Sequence, residues 1–522
     1  MELLHLFTLF WFGNLFIHSS LLRGQALPRF TSNVEEVAGK SFDYIVVGGG
    51  TAGCPLAATL SERFSVLVIE RGGSPYGNPL VLDKLHYGFA LLETDEFSSV
   101  AQMFVSRDGV TSHRGRVLGG SSAINGGFYS RASDDFVKSA GWDEELVKEA
   151  YEWVESKVAF KPALTMWQTI VEFGLLEAGI LPYNGFSWEH IQGTKIGGTT
   201  FDEWGRRHTS ADLLETWSSG NITVLLNATV QNIIFDDNDE DNSTIVRGIR
   251  FVKSEGDASQ TYEAYLRGTE NVTLQGGDVI LSAGALGSPQ LLLLSGIGPA
   301  KHLQEFEIPI VLDLKAVGRN MKDNPGIAML VDSKPEYRFP DTPQVAGITS
   351  GFKFIVEGGI LPTSLNETRV PIAIKLAFPE SKGKLKLNST DPRHNPSVKF
   401  NYLEKENDLE ECARMAELLG RVARSQSITL FLGTQSPRNK LISNESELRD
   451  FCKKNVRTFY HFHGGCTVGS VVDSNYKVIG VKGLRVVDGS TFLESPGTNP
   501  MATLMMLGRY QGIKMLRERE EL

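Results

Sequence analysis

The sequence predicts a two-part chain of mixed class: an α/β part on a parallel sheet, and an α+β part on a mostly antiparallel sheet. Three observations predict it. The apolar strand Tyr44-Ile-Val-Val47 runs straight into the turn Gly48-Gly49-Gly50-Thr51-Ala52-Gly53, and the next apolar strand, Val66–Ile69, closes at Glu70. A second strand-turn-helix follows at Val279-Ile-Leu-Ser-Ala-Gly284 and Pro289–Leu294. Between 315 and 450 the pattern changes to mixed strand and loop, with Pro335, Pro340, Pro343, Pro362, Pro371 and Pro379.

Residues 41–75 read as a β-α-β unit. Gly48 permits the tight turn, Gly50 lets backbone approach a pyrophosphate, and Gly53 lets the helix pack on the strand. The helix N-terminus brings partial positive charge to the phosphates. Glu70 is placed to accept from a ribose hydroxyl, and an acid there disfavours a 2′-phosphate. The unit therefore predicts an adenine dinucleotide. By itself it does not separate FAD from NAD.

At 522 residues the chain is long enough for about two or three domains. A net charge of −10 offers no basic stripe for nucleic acid. Glu518, Glu520 and Glu521 read as a solvated helix terminus. Leu3–Ile17 is apolar, too short for a comfortable membrane span, and is followed by Gly24-Gln25-Ala26. Residues 1–26 thus read as a cleaved signal peptide; Glu2 and the lack of Lys or Arg before the apolar run leave an uncleaved anchor as the alternative. The N-x-S/T sites Asn221, Asn227, Asn242, Asn271, Asn366, Asn388 and Asn444 fit a glycosylated surface. Of the four cysteines, Cys54 lies in the nucleotide helix and Cys466 in a glycine-rich core segment, so both read as buried thiols. Cys412 with Cys452 is the preferred pair, against four free thiols.

The other elements follow in order. Residues 27–40 read as a flexible start, and 76–110 as loop with short apolar pieces. The stretch Thr111–Tyr129 is too rich in Gly and Ser for a stable helix, and supplies backbone N–H groups to a flat ligand or forms an ordinary glycine loop. Leu146, Ala150, Trp153 and Val154 mark helices over 140–180; alternation from Ile222 to Phe251 marks strands. Leu484–Val487 is a strand, and an amphipathic helix runs from about 499 to 516.

Two places carry chemistry. Tyr460-His461-Phe462-His463-Gly464-Gly465 puts two imidazoles on one face of an extended segment. They are core residues or a proton-handling site; a zinc site lacks further ligands at suitable spacing. Asn499, just before Pro500 and a helical run, is an N-cap or a fixed amide for a substrate oxygen. Asp488-Gly489 is a surface turn or a contact for a cofactor.

At this point the chain resembles the glucose-methanol-choline (GMC) flavoprotein oxidoreductases, nearest the plant branch of HOTHEAD-type proteins and mandelonitrile lyases. The resemblance rests on Gly48–Glu70, Arg114–Asn125, Gly287–Pro299, Val487–Pro500 and the His461 region. It implies FAD. The implied ADP contacts are Gly48, Gly50, Thr51, Ala52, Gly53, Glu70, Arg71 and Val230. The implied isoalloxazine contacts are Val117, Ser121, Asn125, Gly126, Gly127, Phe128 and Tyr460, bordered by Asp488, Gly489, Pro500 and Met501. It implies a Rossmann-like FAD-binding domain in three parts, 41–150, 195–315 and 461–522, and a substrate-binding domain over 316–460 with 151–194 contributing. The implied reaction is alcohol oxidation: His461 is the general base, Asn499 holds the alkoxide, and hydride passes to flavin N5, with O₂ or another acceptor reoxidising the flavin. A hydroxynitrile lyase or a non-enzymatic flavin-binding protein is the alternative. Against the lyase, Asn499 replaces a family His, Phe459 a Tyr, and Ile355 a Cys. Met501 stands where relatives often carry Gln.

Overall fold

The computed structural model describes residues 28–215, 220–236, 244–268, 277–331, 340–364, 367–433 and 444–520. The leader 1–26, Asn242, Asn271, Asn366 and Glu521 lie outside the described residues.

Among these residues a six-stranded sheet runs in the order Arg29–Thr31, Ile222–Leu225, Val66–Ile69, Tyr44–Val47, Val279–Leu281, Leu484–Val486, every pair parallel. Val-, Ile- and Leu-rich runs suit a sheet covered on both faces. Val47 lies abreast of Ile69 and Leu281, and Leu281 abreast of Val486. Gly48, Glu70, Ser282 and Val487 therefore leave the sheet along one carboxyl edge, where open α/β sheets bind ligands.

The expected flexible start is wrong. Arg29–Thr31 joins the sheet edge, and Val34 and Val37 are buried in the core. Burying two valines and pairing three backbone positions outweighs the ordering entropy of so short a segment.

The second sheet has eight strands and is antiparallel throughout except at one edge, where Tyr183–Phe186 runs parallel to Gly193–Ile196. Its register sorts the side chains. Phe354, Val356, Ile372, Ile374 and Leu376 face a helical layer and share a core with Trp167, Leu175, Leu409, Met415 and Leu418. On the other face Lys375 stands opposite Ile355, Glu357 opposite Ala346 and Ala373, and Lys195 opposite Ala346. That face is turned toward the glycine-rich segment, since Phe128 packs with Ala346, Ile348 and Ile355.

The mixed strand-and-loop reading of 315–450 overlooked three helices, Glu406–Ala423, Gln426–Leu432 and Glu445–Asn455. Leu409, Cys412, Met415, Leu419 and Val422 recur at helical period and are buried, a signal that the upstream prolines obscured. The helix expected at Pro289–Leu294 begins earlier, at Gly284. Asp488 Oδ2 accepts the Gly284 N–H at 2.9 Å and Ser288 Oγ the Ala283 N–H at 3.1 Å, which satisfies its first turn. Met501–Glu520 forms the last helix. Its Glu518 is not simply solvated: it pairs at 2.7 Å with Arg485, whose side chain is only 5% exposed. Cys412 and Cys452 form a disulfide; Cys54 and Cys466 are buried thiols.

Candidate active site

A cavity runs along the carboxyl edge of the parallel sheet. Of the residues expected at a dinucleotide, Gly48, Gly50, Thr51, Ala52, Glu70, Arg71, Ser121, Val230, Tyr460, Asp488, Gly489 and Pro500 line it. The three glycines divide by sterics. A Cβ on Gly48 would stand 2.6 Å from the Ser282 carbonyl oxygen, and one on Gly53 2.0 Å from that of Gly48, so both are demanded by chain packing. A Cβ on Gly50 would meet protein no nearer than 3.7 Å. Its missing side chain leaves room for a ligand.

Glu70 is buried, its carboxylate accepting from Gly49 N–H at 3.0 Å and Gly72 N–H at 2.8 Å. Burial pushes its pKa up; Arg71 and these N–H groups oppose that. Each oxygen keeps a lone pair for a hydroxyl. Arg114, absent from the expected contacts, also lines the cavity. Its Nε donates to Gln102 at 3.2 Å, and burial together with the like charges of Arg71 and Arg116 makes its cation costly. A desolvated guanidinium on the wall of this cavity suits a phosphate-type anion. Its signal was the Arg114-Gly-Arg116 spacing ahead of the glycine turn.

Of the remaining expected contacts, Gly53 and Val117 are buried, and the Phe128 ring packs into the second sheet. Asn125 joins two distant parts of the chain: its Oδ1 accepts from Gly127 N–H at 2.9 Å and Arg207 at 3.0 Å, and its Nδ2 lies 3.0 Å from Met501 Sδ. A Cβ on Gly126 would lie 3.2 Å from both Pro343 and the Tyr87 hydroxyl, so this backbone forms a narrow wall. Asp488 is buried, not a surface turn.

His461 and Asn499 are brought to one point by a residue the sequence reading did not select. Lys375 Nζ lies 3.0 Å from His461 Nδ1 and 3.1 Å from Asn499 Oδ1. Asn499 does not cap the last helix, which starts at Met501; its amide oxygen looks into this cluster, with Glu357 close by. His461 is buried, and its backbone N–H donates to Asp323 at 2.9 Å. Burial, then the charge of Lys375, hold its pKa well below the ordinary histidine range. His463 is buried beside it, with Nδ1 2.9 Å from the His461 carbonyl; burial lowers it to about 4.

Asn324 fixes the His461 tautomer. Its Nδ2 donates to the carbonyls of Leu376 at 2.9 Å and Ala377 at 2.7 Å, which settles the amide's orientation. Its Oδ1 then faces His461 Nδ1 at 3.0 Å and accepts from Ser495 Oγ at 3.2 Å. A carbonyl oxygen only accepts, so Nδ1 carries the hydrogen and Nε2 the free lone pair. Among the described residues Nε2 has no hydrogen-bond partner. The cluster can take one proton at Nε2 and place a carboxamide next to the atom that loses it.

The chain is similar along most of its length to known proteins. Family profiles described as GMC oxidoreductase match residues 42–326 and 379–508. An (R)-mandelonitrile lyase-like protein of Arabidopsis thaliana is 46% identical, over 95% of this chain and 94% of that protein. Protein HOTHEAD of the same plant is 44% identical, over 94% and 90%. A sinalpyl alcohol oxidase of Nesocodon mauritianus is 42% identical, over 92% and 89%. Among solved structures, an Aspergillus oryzae formate oxidase variant superposes with a TM-score of 0.77 at 19% identity, over 93% of this chain and 99% of that one.

Proposed function

The chain belongs to the GMC oxidoreductase family, and from that premise and the site's geometry we propose that it is an FAD-dependent oxidoreductase of small alcohols, taking a CH–OH group to the aldehyde or ketone. The cofactor is FAD. Bound in the cavity, it supplies the hydride acceptor, N5. The residues suited to its ADP half are Gly48, Gly50, Thr51, Ala52, Gly53, Glu70, Arg71 and Val230, with Arg114 toward the phosphates. Those suited to its ring half are Val117, Ser121, Asn125–Phe128, Tyr460, Asp488, Gly489, Pro500 and Met501.

One observation carries the chemistry: the Nδ1 side of His461 is committed to Asn324, so Nε2 is a free base inside a closed site. His461 takes the proton from the substrate oxygen at Nε2, and the hydride is lost from the carbon that bears that oxygen. Asn499 donates from its carboxamide to the oxygen that gains charge, an interaction strengthened where water is excluded. Asp323, bonded to the His461 N–H and to Tyr402 Oη at 2.6 Å, holds the base in place.

A hydroxynitrile lyase is the second reading, because a mandelonitrile lyase-like protein stands among the relatives. The site favours oxidation: Lys375 gathers one imidazole, His461, and an amide, Asn499, with Ile355 and Phe459 where the lyases carry polar groups. The test is anaerobic mixing of the purified flavoprotein with a panel of alcohols, aryl alcohols first. Bleaching of the flavin band is expected. Cleavage of mandelonitrile without bleaching would assign the lyase reaction instead. Reoxidation then uses O₂ or another acceptor.

Passage through the secretory pathway completes the reading. The Cys412–Cys452 disulfide supports it, as do the exposed sites Asn227, Asn388 and Asn444. Asn221 is the poorest glycan acceptor of the described sites, since it is half-buried where the others are exposed, with its Nδ2 donating to the Ser61 carbonyl.

A further inference from the structure

Lys375 is a fully buried charge-bearing side chain that the reaction has not used. It sits inside a β-strand, is 0% exposed, and faces the reaction cluster rather than solvent. Resting on the oxidoreductase reading, we propose that Lys375 is the positioning residue of this site: as an uncharged amine it accepts the Nδ1–H of His461 and donates to Asn499 Oδ1, tying base and carboxamide together.

The argument is one of donors and acceptors. Asn324 leaves His461 Nδ1 no choice but to carry its hydrogen. An ammonium 3.0 Å from Nδ1–H would set donor against donor; a neutral amine presents a lone pair there. The same amine keeps N–H groups for Asn499 Oδ1 at 3.1 Å. With its oxygen held by Lys375, Asn499 keeps its N–H groups for the substrate oxygen. A second consequence is electrostatic. When His461 becomes imidazolium, a neutral neighbour accepts its Nδ1–H, whereas an ammonium would repel the new charge.

The groups that bias Lys375 come from every side. Glu357 on the neighbouring strand and Asp323 ahead of the strand Pro325–Val331 favour the ammonium; burial opposes them and pulls Lys375 down to about 7. His461, His463 and His190 feel its charge in turn. Asp323 is already engaged with His461 N–H and Tyr402.

Two measurements on the holoenzyme test this. In the first, kcat/KM for anaerobic flavin reduction by benzyl alcohol is followed across pH. The wild type should step up about tenfold between two non-zero plateaus as pH rises through 7, as the ammonium is lost. Lys375→Met should lose the step, and Lys375→Arg, which cannot shed its charge, should stay at or below the lower plateau at every pH. A step retained in Lys375→Met, or a rate that falls on raising pH through 7, overturns the proposal. The second measurement needs no turnover, so it separates failure of this idea from failure of the alcohol reading. The ring nitrogens of His461 are observed in ¹⁵N-histidine-labelled protein and identified by their loss in His461→Asn. Above pH 8 the Nδ1–H tautomer should appear, with an Nδ1 shift near pH 7 that vanishes in Lys375→Met. The Nε2–H tautomer, or an unchanged titration in Lys375→Met, refutes it. If Lys375→Met fails to retain flavin, the double variant Lys375→Met/Glu357→Gln, which leaves no unpaired buried acid, serves in its place.

Discussion

A single proton position on one imidazole decides what this site can do. His461 would be an ordinary buried histidine were Asn324 not held by two backbone carbonyls, because only that clamp forces Nε2 to be the base. His461→Ala should keep the yellow colour and lose alcohol turnover at least about a hundredfold, as removal of a general base does. Near-normal turnover would falsify the base assignment. Asn324→Leu should keep flavin and imidazole yet lower kcat about tenfold or more, since Nδ1 loses the acceptor that fixes its tautomer and keeps only the amine of Lys375; an unchanged kcat with an unchanged tautomer would show that Lys375 alone suffices. The sign of the acid limb follows from burial. His461 is held below its ordinary value, so it remains a free base through the neutral range, and activity should vanish only at pH well under 6.5. A wild-type profile that falls to zero with a midpoint at or above 6.5 would contradict the direction of that shift.

Between residues and fold lie the elements, where legibility was uneven. The strand-turn-helix at Gly48–Gly53 was readable because each glycine answers a separate steric demand at fixed spacing, and motifs singled out His461 and Asn499 as candidates, which the fold brings to one lysine. Lys375, Glu357 and Lys195 were not. Each occupies an otherwise apolar strand segment, and alternation alone does not reveal whether an odd charged residue faces solvent or a reaction site. Only the register, with Lys375 opposite Ile355 and Glu357 opposite Ala346 and Ala373, places them on the inner face. The helices after 405 were hidden by proline-rich strands before them, and the start at 29–31 by its shortness. The glycine turn gives a prediction at this scale. Gly53→Ala forces a Cβ to 2.0 Å from a backbone oxygen and should damage folding, giving little soluble protein. Gly50→Ala meets only ordinary contacts within the chain, so it should fold, melt cooperatively and yet purify with little or no flavin. A flavin-replete Gly50→Ala protein would mean that the pyrophosphate does not approach this backbone.

At the scale of the whole molecule, two sheets position the candidate site. The parallel sheet delivers Gly48, Glu70 and Asp488 to the cavity on its carboxyl edge; the antiparallel sheet carries Lys375 and Glu357 on its inner face, where Lys375 reaches His461 and Asn499. The opposite face of that sheet is covered by helices, and two of these, Glu406–Ala423 and Glu445–Asn455, are joined by Cys412–Cys452. The cross-link is therefore remote from the chemistry, with a full sheet between them. It closes a loop of 40 residues, which by chain entropy stabilises the folded state by about 4 kcal/mol. Replacing both cysteines with alanine removes that constraint and two small buried side chains. The melting midpoint at a fixed scan rate should fall by several degrees, flavin content should stay full, and kcat should remain within about twofold. If kcat dropped sharply while the melting midpoint held, the helical layer would be shaping the inner face through the sheet, and the separation of scaffold from site described by the register would be untenable.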